Sequence, residues 1–166
     1  VLDEADEMIS MGFKEELDNS VVPLFLFIIG EGEEREKRQK QIETLKLSKN
    51  VFLCGHIDDA VKLLKAFDIF IFTSLSEGLP YAVTEAGMAE LATICTNVGG
   101  IPEIIIDKET GVLIRSRHSK DVKEAILELV FDQKMRKTLS TNLHKKVTTE
   151  FNLENMVIAT EKLYNS

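Results

Sequence analysis

Short apolar runs alternate with longer charged segments along most of the chain. The runs are rich in bulky residues and are bounded by glycine or polar residues, which is typical of buried parallel strands. Alternation of such runs with helical segments predicts an α/β fold with a mainly parallel sheet. We expect the strands at residues 24–29, 51–53, 69–72, 92–95 and 111–114.

The segments between these runs predict helices with one apolar side. In the segment 58–67, Asp58 is expected to cap the helix at its amino end. The buried side of that helix is predicted to consist of Val61, Leu63, Leu64 and Phe67, which recur at helical spacing. The other predicted helices cover residues 33–46, 80–90, 122–130, 135–147 and a final segment within 151–164.

A loop that combines carboxylates with glycine and proline follows the strand predicted at residues 69–72. It contains Glu77, Gly78 and Pro80, and Glu85 lies eight positions after Glu77. In open α/β sheets, ligands bind outside the carboxyl ends of the strands, which is where this loop is expected. A helix that begins near Pro80 would present free N–H groups and its positive dipole end there, which suits a phosphate. The two carboxylates can face one bound molecule and accept hydrogen bonds from sugar or ribose hydroxyls.

The composition limits the function classes that fit this pattern. With 166 residues and 44% apolar content, the chain can bury one domain core but is short for two. A formal net charge of −8 argues against a general nucleic-acid binder, which needs a basic surface. Cys54 and Cys95 are widely spaced in apolar contexts, which favours buried side chains in a reducing compartment. No apolar run approaches the about 18 residues of a membrane span, so we expect a soluble, cytoplasmic protein.

The spacing of Glu77 and Glu85 resembles the E-x7-E signature of the retaining family 4 glycosyltransferases, which have the two-domain GT-B fold. Other segments resemble the carboxyl-terminal, donor-binding domain of that family and occur in the same order along the chain. The resemblance implies a Rossmann-like three-layer α/β/α domain, half of a GT-B fold, over residues 19–166. The segments that carry it, besides the signature, are residues 28–32, 51–55, 66–70, 97–105 and 109–113.

This resemblance implies a binding site for a nucleoside-diphosphate sugar, from which a hexose would be transferred with retention. Glu77 would be the catalytic residue that contacts the donor sugar, and Glu85 would bind the ribose hydroxyls. The backbone of Gly78, Leu79 and Pro80 would approach the sugar and the diphosphate. No metal ion or other cofactor is expected, because the helix dipole would face the departing diphosphate. Further donor-binding positions implied by the resemblance are Gly30, Gly32, His56, Gly99 and Gly100.

Several of these positions also have an ordinary structural interpretation. Gly99 and Gly100 fit either a phosphate or sugar contact or a left-handed turn at the end of a strand. His56 follows the strand at residues 51–53, where the resembled family brings backbone close to the nucleotide base, but a lone histidine is more often a surface group than a general base. Glu103 either complements a helix dipole or contacts the ligand.

Residues 1–18 resemble a different family. Asp-Glu-Ala-Asp at residues 3–6 and Met-Gly-Phe at residues 11–13 are similar to the Walker B segment of DEAD-box RNA helicases. An ATPase of that kind also needs a phosphate-binding G-x-x-x-x-G-K-[ST] loop, and the sequence contains none. We therefore favour a short strand and turn leading to a helix, either packed with the domain or joined to it as a fusion segment.

The chain also departs from the glycosyltransferase pattern. The donor domain of that family opens with a Gly-Arg turn and a Lys-Gly pair, and residues 1–18 stand in that place with Lys14 as their only basic residue. Residues 90–93 replace the usual Gly and Pro before a strand. The partner acceptor domain, which precedes the donor domain in the family, is not among the 166 residues. We therefore expect donor binding with little or no transferase activity from this chain alone.

Two further hypotheses compete with a donor-binding domain. One is a non-catalytic α/β scaffold, a fusion protein or a pseudoenzyme. In it, Glu77 and Glu85 would only cap the helix and interact with solvent. The other is a fragment of a nucleic-acid-dependent ATPase that uses residues 3–6. Nucleotide-sugar binding that is lost in Glu85→Ala favours the donor domain, absence of nucleotide binding favours the scaffold, and magnesium-dependent ATP binding lost in Asp3→Ala favours the ATPase.

Overall fold

The computed structural model describes residues 23–164, which form five strands and seven helical elements. The helicase-like residues 1–18 lie outside the described residues. In chain order the elements are β1 (Leu26–Ile29), α1 (Arg35–Thr44), β2 (Val51–Gly55), a 3₁₀ helix (Ala60–Ala66), β3 (Ile69–Phe72), α2 (Tyr81–Met88), β4 (Ala92–Thr96), α3 (Ile101–Ile104), β5 (Val112–Ile114), α4 (Ser119–Phe131), α5 (Gln133–Glu150) and α6 (Leu153–Tyr164).

The strands pair in parallel and form two sheets within residues 23–164. β1 pairs with β2, and β4 lies between β3 and β5. The predicted α/β fold with parallel strands is confirmed. The structure differs from a single sheet because β1 and β3 are not hydrogen-bonded to each other and instead both line a cavity of about 910 Å³. Hydrophobic pattern identifies strands but not their neighbours, because pairing joins backbone groups that are distant in sequence.

β4 supplies side chains to two separate cores. All of its residues are buried, and Ile94 packs towards Val122 of α4. Cys95 points to the other face and packs with Val83 of α2 and Leu143 of α5. Because successive side chains of a strand alternate between faces, this one strand is covered by helices on both sides. The result is the predicted three-layer α/β/α arrangement. Burial in the second core also raises the pKa of the Cys95 thiol.

The segment between β2 and β3 differs from its prediction. A helix over residues 58–67 capped by Asp58 is wrong, because the observed element is the 3₁₀ helix Ala60–Ala66. The residue before it is Asp59, which has a left-handed backbone with φ of 54° and makes no side-chain capping bond. Asp58 instead lies 3.1 Å from the ring Nε2 of His56. A tight 3₁₀ segment has three residues per turn, so spacing based on an α-helix misplaces its side chains.

Burial in this region differs accordingly. Leu64 is buried and Phe67 is half-buried, but Val61 and Leu63 are exposed, contrary to their predicted place on the covered side of a helix. Cys54 on β2 is half-buried, whereas the apolar context of this cysteine predicted a buried side chain. Val61 and Leu63 are exposed because the 3₁₀ helix turns every three residues, and Cys54 is half-buried on β2, which pairs only with β1 within residues 23–164.

Gly87 allows α2 to approach α5 closely. A Cβ at this position would lie 2.9 Å from Val147 Cγ1 and 3.0 Å from Leu143 Cγ, both on α5. We expect Gly87→Val to lower the free energy of unfolding by about 1 to 3 kcal/mol, because the added atoms overpack this interface. Chemical denaturation measures the change. Met88→Val is the matched control, since Met88 is exposed on the same helix, and equal effects of the two substitutions would contradict the close approach.

α6 ends the described part of the chain with apolar side chains in contact with solvent. Met156, Val157, Ile158 and Leu163 are all exposed. Even so, none of the helices within residues 23–164 combines the length and the apolar character that crossing a membrane requires.

Candidate functional site

The loop between β3 and α2 carries most of the predicted site residues. Thr73 and Ser74 at its start are buried, Glu77 is half-buried, and Gly78 and Leu79 are exposed. The loop therefore begins inside the domain at the carboxyl end of β3 and emerges at the surface before the helix. This is the position at which parallel α/β sheets place their ligands.

Pro80 joins this loop to α2. Its backbone is extended, with φ of −74° and ψ of 117°, and the first helical residue is Tyr81. The predicted start of a helix near Pro80 is therefore confirmed. No side chain caps this helix end. The Val83 N–H donates to the Pro80 carbonyl at 3.2 Å. The N–H groups of Tyr81 and Ala82 precede it in the first turn of α2 and can, together with the positive end of the helix dipole, meet an anion that approaches the loop.

The Gly99–Gly100 turn packs directly against the loop. The Gly100 N–H donates a hydrogen bond of 2.9 Å to the Gly78 carbonyl. A Cβ on Gly100 would collide with that carbonyl oxygen, and a Cβ on Gly99 would collide with the carbonyl oxygen of Glu77. Gly99 also has a left-handed backbone with φ of 53°. Of the two interpretations offered by sequence, the left-handed turn is observed, and a ligand contact at these glycines stays a prediction.

The two carboxylates of the signature lie before and after the start of α2 along the chain. Glu77 precedes Pro80 on the loop, and Glu85 is exposed on α2. Glu85 lines the cavity between β1 and β3 together with Ala82, whereas Glu77 is not among its lining residues. The structure therefore directs Glu85 to a volume large enough for a small-molecule ligand, and it keeps Glu77 at the adjacent loop.

A second group of predicted residues meets at the carboxyl ends of β1 and β2. The Gly30 N–H donates to the Gly55 carbonyl at 2.8 Å, and Gly32 lies two residues further along the chain. The backbone N–H of His56 donates to Glu31 Oε1 at 3.3 Å, while its ring is exposed. Glu31 was not singled out from sequence, although its place between two glycines at a strand end marked the turn. The histidine has a surface position, as its ordinary interpretation predicts.

A sequence model of the family described as Glycosyl transferases group 1 matches residues 13–146. The chain belongs to this family. The matched range contains both groups of candidate residues described above. It begins inside the helicase-like segment 1–18, so the helicase interpretation of that segment and a domain boundary at residue 19 stay predictions.

Two curated relatives illustrate the similarity within group 1. An uncharacterized glycosyltransferase of Methanocaldococcus jannaschii is 32% identical over 142 residues, which cover 82% of this chain and 39% of the relative. The UDP-Gal:alpha-D-GlcNAc-diphosphoundecaprenol alpha-1,3-galactosyltransferase of Escherichia coli is 30% identical over 150 residues, covering 89% of this chain and 38% of the relative. The chain thus spans less than two fifths of the length of either relative.

A solved structure has the same fold. A mutant of S. aureus TarM in complex with Fondaparinux, alpha-GlcNAc-glycerol and UDP is 25% identical and superposes with a TM-score of 0.83, covering 97% of this chain and 32% of that chain. The predicted Rossmann-like domain of a GT-B glycosyltransferase is therefore confirmed as a fold.

Thr96 and Ser74 were not predicted from sequence as residues of the candidate site, but they contact its loop. Thr96 ends β4 and is fully buried, and its hydroxyl donates to the Ser74 carbonyl at 2.5 Å. The Ser74 hydroxyl in turn donates to the Ser76 carbonyl at 3.3 Å. The available signal was a hydroxyl residue at the carboxyl end of a buried strand, because an apolar residue of equal size would fit the same core.

An ion pair holds the start of α4 just beyond β5. The Arg115 guanidinium donates two hydrogen bonds to Asp121, from Nε to Oδ2 at 2.7 Å and from Nη2 to Oδ1 at 2.8 Å. His118 Nδ1 also lies 2.8 Å from Asp121 Oδ1. These hydrogen bonds from Arg115 hold the pKa of the Asp121 carboxyl well below its usual range.

We expect this pair to contribute to stability at neutral pH and to fail in acid. A carboxyl whose pKa falls on folding stabilises the folded state above its unfolded pKa of about 3.9, and the contribution disappears as pH drops through the folded pKa. Asp121→Asn should therefore be less stable than the wild type near pH 7, and the difference should shrink below about pH 4. Urea unfolding across this interval measures both proteins, and a difference that does not depend on pH would contradict the assignment.

Within residues 23–164, no group of three or more histidine, cysteine, aspartate or glutamate side chains is placed to hold a metal ion.

Proposed function

We propose that this chain is the donor-binding part of a retaining glycosyltransferase that transfers a hexose from a nucleoside-diphosphate sugar. One observation carries the proposal: the Glu77 loop leaves the carboxyl end of β3 and leads directly into the uncapped amino end of α2. That arrangement suits a molecule with a diphosphate flanked by hydroxyl-bearing rings, because the helix start lies between the two carboxylates along the chain.

In the proposed complex, the diphosphate lies at the amino end of α2, near the backbone of Gly78 and Leu79. Negative charge on the departing diphosphate is then stabilised by N–H dipoles that are already oriented before the reaction. Glu77 contacts the donor sugar, where positive charge develops at the reacting carbon, and Glu85 accepts hydrogen bonds from the ribose hydroxyls. The scheme uses no metal ion.

Two similar proteins favour uridine diphosphate as the first nucleotide to test. The Escherichia coli relative is named for UDP-Gal, and the S. aureus TarM mutant was solved with UDP. We further propose that the acceptor is bound by a separate, amino-terminal domain. We expect donor binding but little or no transfer from the chain alone.

Calorimetric titration with UDP, GDP and ADP, and with their glucose or mannose conjugates, tests the proposal. We expect one diphosphate series to bind, with equal affinity in the presence of magnesium and in the presence of a chelator. Absence of binding across the whole panel would overturn the proposal and favour a non-catalytic scaffold. Binding that requires magnesium would overturn the metal-independent scheme.

A further inference from the structure

Three alternate carbonyl groups around Glu77 each accept a hydrogen bond. The Ser74 carbonyl accepts from the Thr96 hydroxyl at 2.5 Å, and the Ser76 carbonyl accepts from the Ser74 hydroxyl at 3.3 Å. The Gly78 carbonyl accepts from the Gly100 N–H at 2.9 Å. The backbone on both sides of Glu77 is therefore held, while Glu77 itself is half-buried.

The donors that hold these carbonyls belong to the end of β4 and the turn after it. This turn is itself held from several sides. The Val98 N–H donates to the Thr96 carbonyl at 3.0 Å, and the Asn97 N–H donates to the carbonyl of Ile114 on β5 at 2.8 Å. A chain of hydrogen bonds thus runs from β5 through the turn to the Gly78 carbonyl. The Glu77 loop takes its position from two neighbouring strands.

A threonine at position 96 destabilises the folded protein unless its hydroxyl has a hydrogen-bond partner. Its side chain is fully buried, and burying a hydroxyl without a hydrogen bond destabilises a protein. Valine has nearly the same shape and would fill the same volume without a polar group. The Ser74 carbonyl would be left without its buried donor in such a variant. The hydroxyl therefore acts on the loop, and packing alone does not explain it.

We propose that Thr96, acting through Ser74, is a positioning residue that sets the geometry of the Glu77 loop for the sugar part of the donor. This inference rests on the proposed function for its ligand, but its structural step does not. Thr96 acts only through the loop backbone. Glu85 lies on α2, outside the loop whose carbonyl groups are held. Loss of the Thr96 hydroxyl should therefore affect recognition of the sugar more than recognition of the nucleoside diphosphate.

The first experiment needs no ligand. It compares Thr96→Val, which removes the donor, with the matched control Thr96→Ser, which keeps it, by amide hydrogen exchange measured with NMR. We expect the Gly100 amide to exchange about tenfold faster in Thr96→Val and at the wild-type rate in Thr96→Ser. The Ile105 amide, which donates to Ile101 within its own short helix, serves as the internal reference. Unchanged exchange at Gly100 in Thr96→Val would overturn the positioning role.

The second experiment compares the affinity for a nucleoside diphosphate with that for its sugar conjugate by calorimetry. We expect Thr96→Val to weaken binding of the conjugate about fivefold to tenfold, to leave the diphosphate within about twofold, and to be rescued in Thr96→Ser. Equal loss for both ligands would overturn the proposal. If Thr96→Val does not fold, Thr96→Ala replaces it, because alanine also removes the hydroxyl that donates to the Ser74 carbonyl and places no methyl group against that oxygen.

The two experiments separate the inference from the proposed function. If the wild type binds no nucleotide, the proposed function fails, and the exchange measurement still decides whether Thr96 holds the loop. If the wild type binds nucleotide sugar and Thr96→Val behaves as wild type in both measurements, the function stands and the positioning role is wrong.

Discussion

Glu85→Ala is expected to weaken binding of the nucleoside diphosphate by about 10-fold to 100-fold. The physical reason is that a carboxylate accepting hydrogen bonds from ribose hydroxyls contributes about 1.5 to 3 kcal/mol, and each 1.4 kcal/mol corresponds to a factor of ten. Alanine is a good helix former, so α2 should be retained. Calorimetric titration with the diphosphate that the wild type prefers measures the loss.

Glu109→Ala is the matched control for this experiment. Glu109 is also exposed, but it lies in the loop before β5, at the amino end of that strand and therefore at the opposite edge of the sheet from the site. The Glu109→Ala substitution removes the same charge as Glu85→Ala but lies away from the candidate site. If both variants lose affinity equally, net charge explains the effect. If neither loses affinity, Glu85 does not bind the ribose.

Ile94→Ala is expected to lower the free energy of unfolding by about 2 to 5 kcal/mol. Ile94 has no solvent exposure and lies on β4, where it pairs in register with Ile71 of β3 and Val112 of β5. Truncation leaves a cavity in the core between this sheet and α4, and dense packing around the strand limits collapse into it. Urea denaturation monitored by circular dichroism measures the change.

Ile106→Ala serves as the reference for this core substitution. Ile106 is the same residue type but is 41% exposed in the loop after α3. We expect its truncation to change the free energy of unfolding by less than about 1 kcal/mol. A loss of the same size at both positions would show that β4 is not the centre of the core.

The strands β3 and β4 could be predicted from sequence because each is a short, largely apolar run between polar residues. The strand expected at residues 69–72 is β3 with the same bounds, and the one expected at 92–95 is β4 with one residue added. β4 is buried at every position and β3 is half-buried at each of its four positions, and both runs stand out from their polar boundaries. The 3₁₀ helix Ala60–Ala66 gave no such signal, because its apolar residues also satisfy the spacing of an α-helix.

The candidate site also combines features that depend on local sequence with contacts that depend on distant residues. Glu77, Gly78, Pro80 and Glu85 form one continuous segment, and the helix start beside Pro80 depends on local backbone preferences, so sequence located it. The contacts of Gly99 and Gly100 with this segment join residues about twenty positions apart, as does the bond from Thr96 to Ser74. Nothing in the local pattern distinguishes a glycine that admits a ligand from one that admits a neighbouring carbonyl.

Sequence alone therefore determined the α/β class, the order of its strands along the chain and the segment that carries the signature, because each depends on local periodicity and local backbone preference. The tertiary structure decided which strands are neighbours, that a cavity lies between β1 and β3, and how Thr96 and the two glycines hold the Glu77 loop. These features depend on groups that are distant along the chain and meet only when the sheets are assembled.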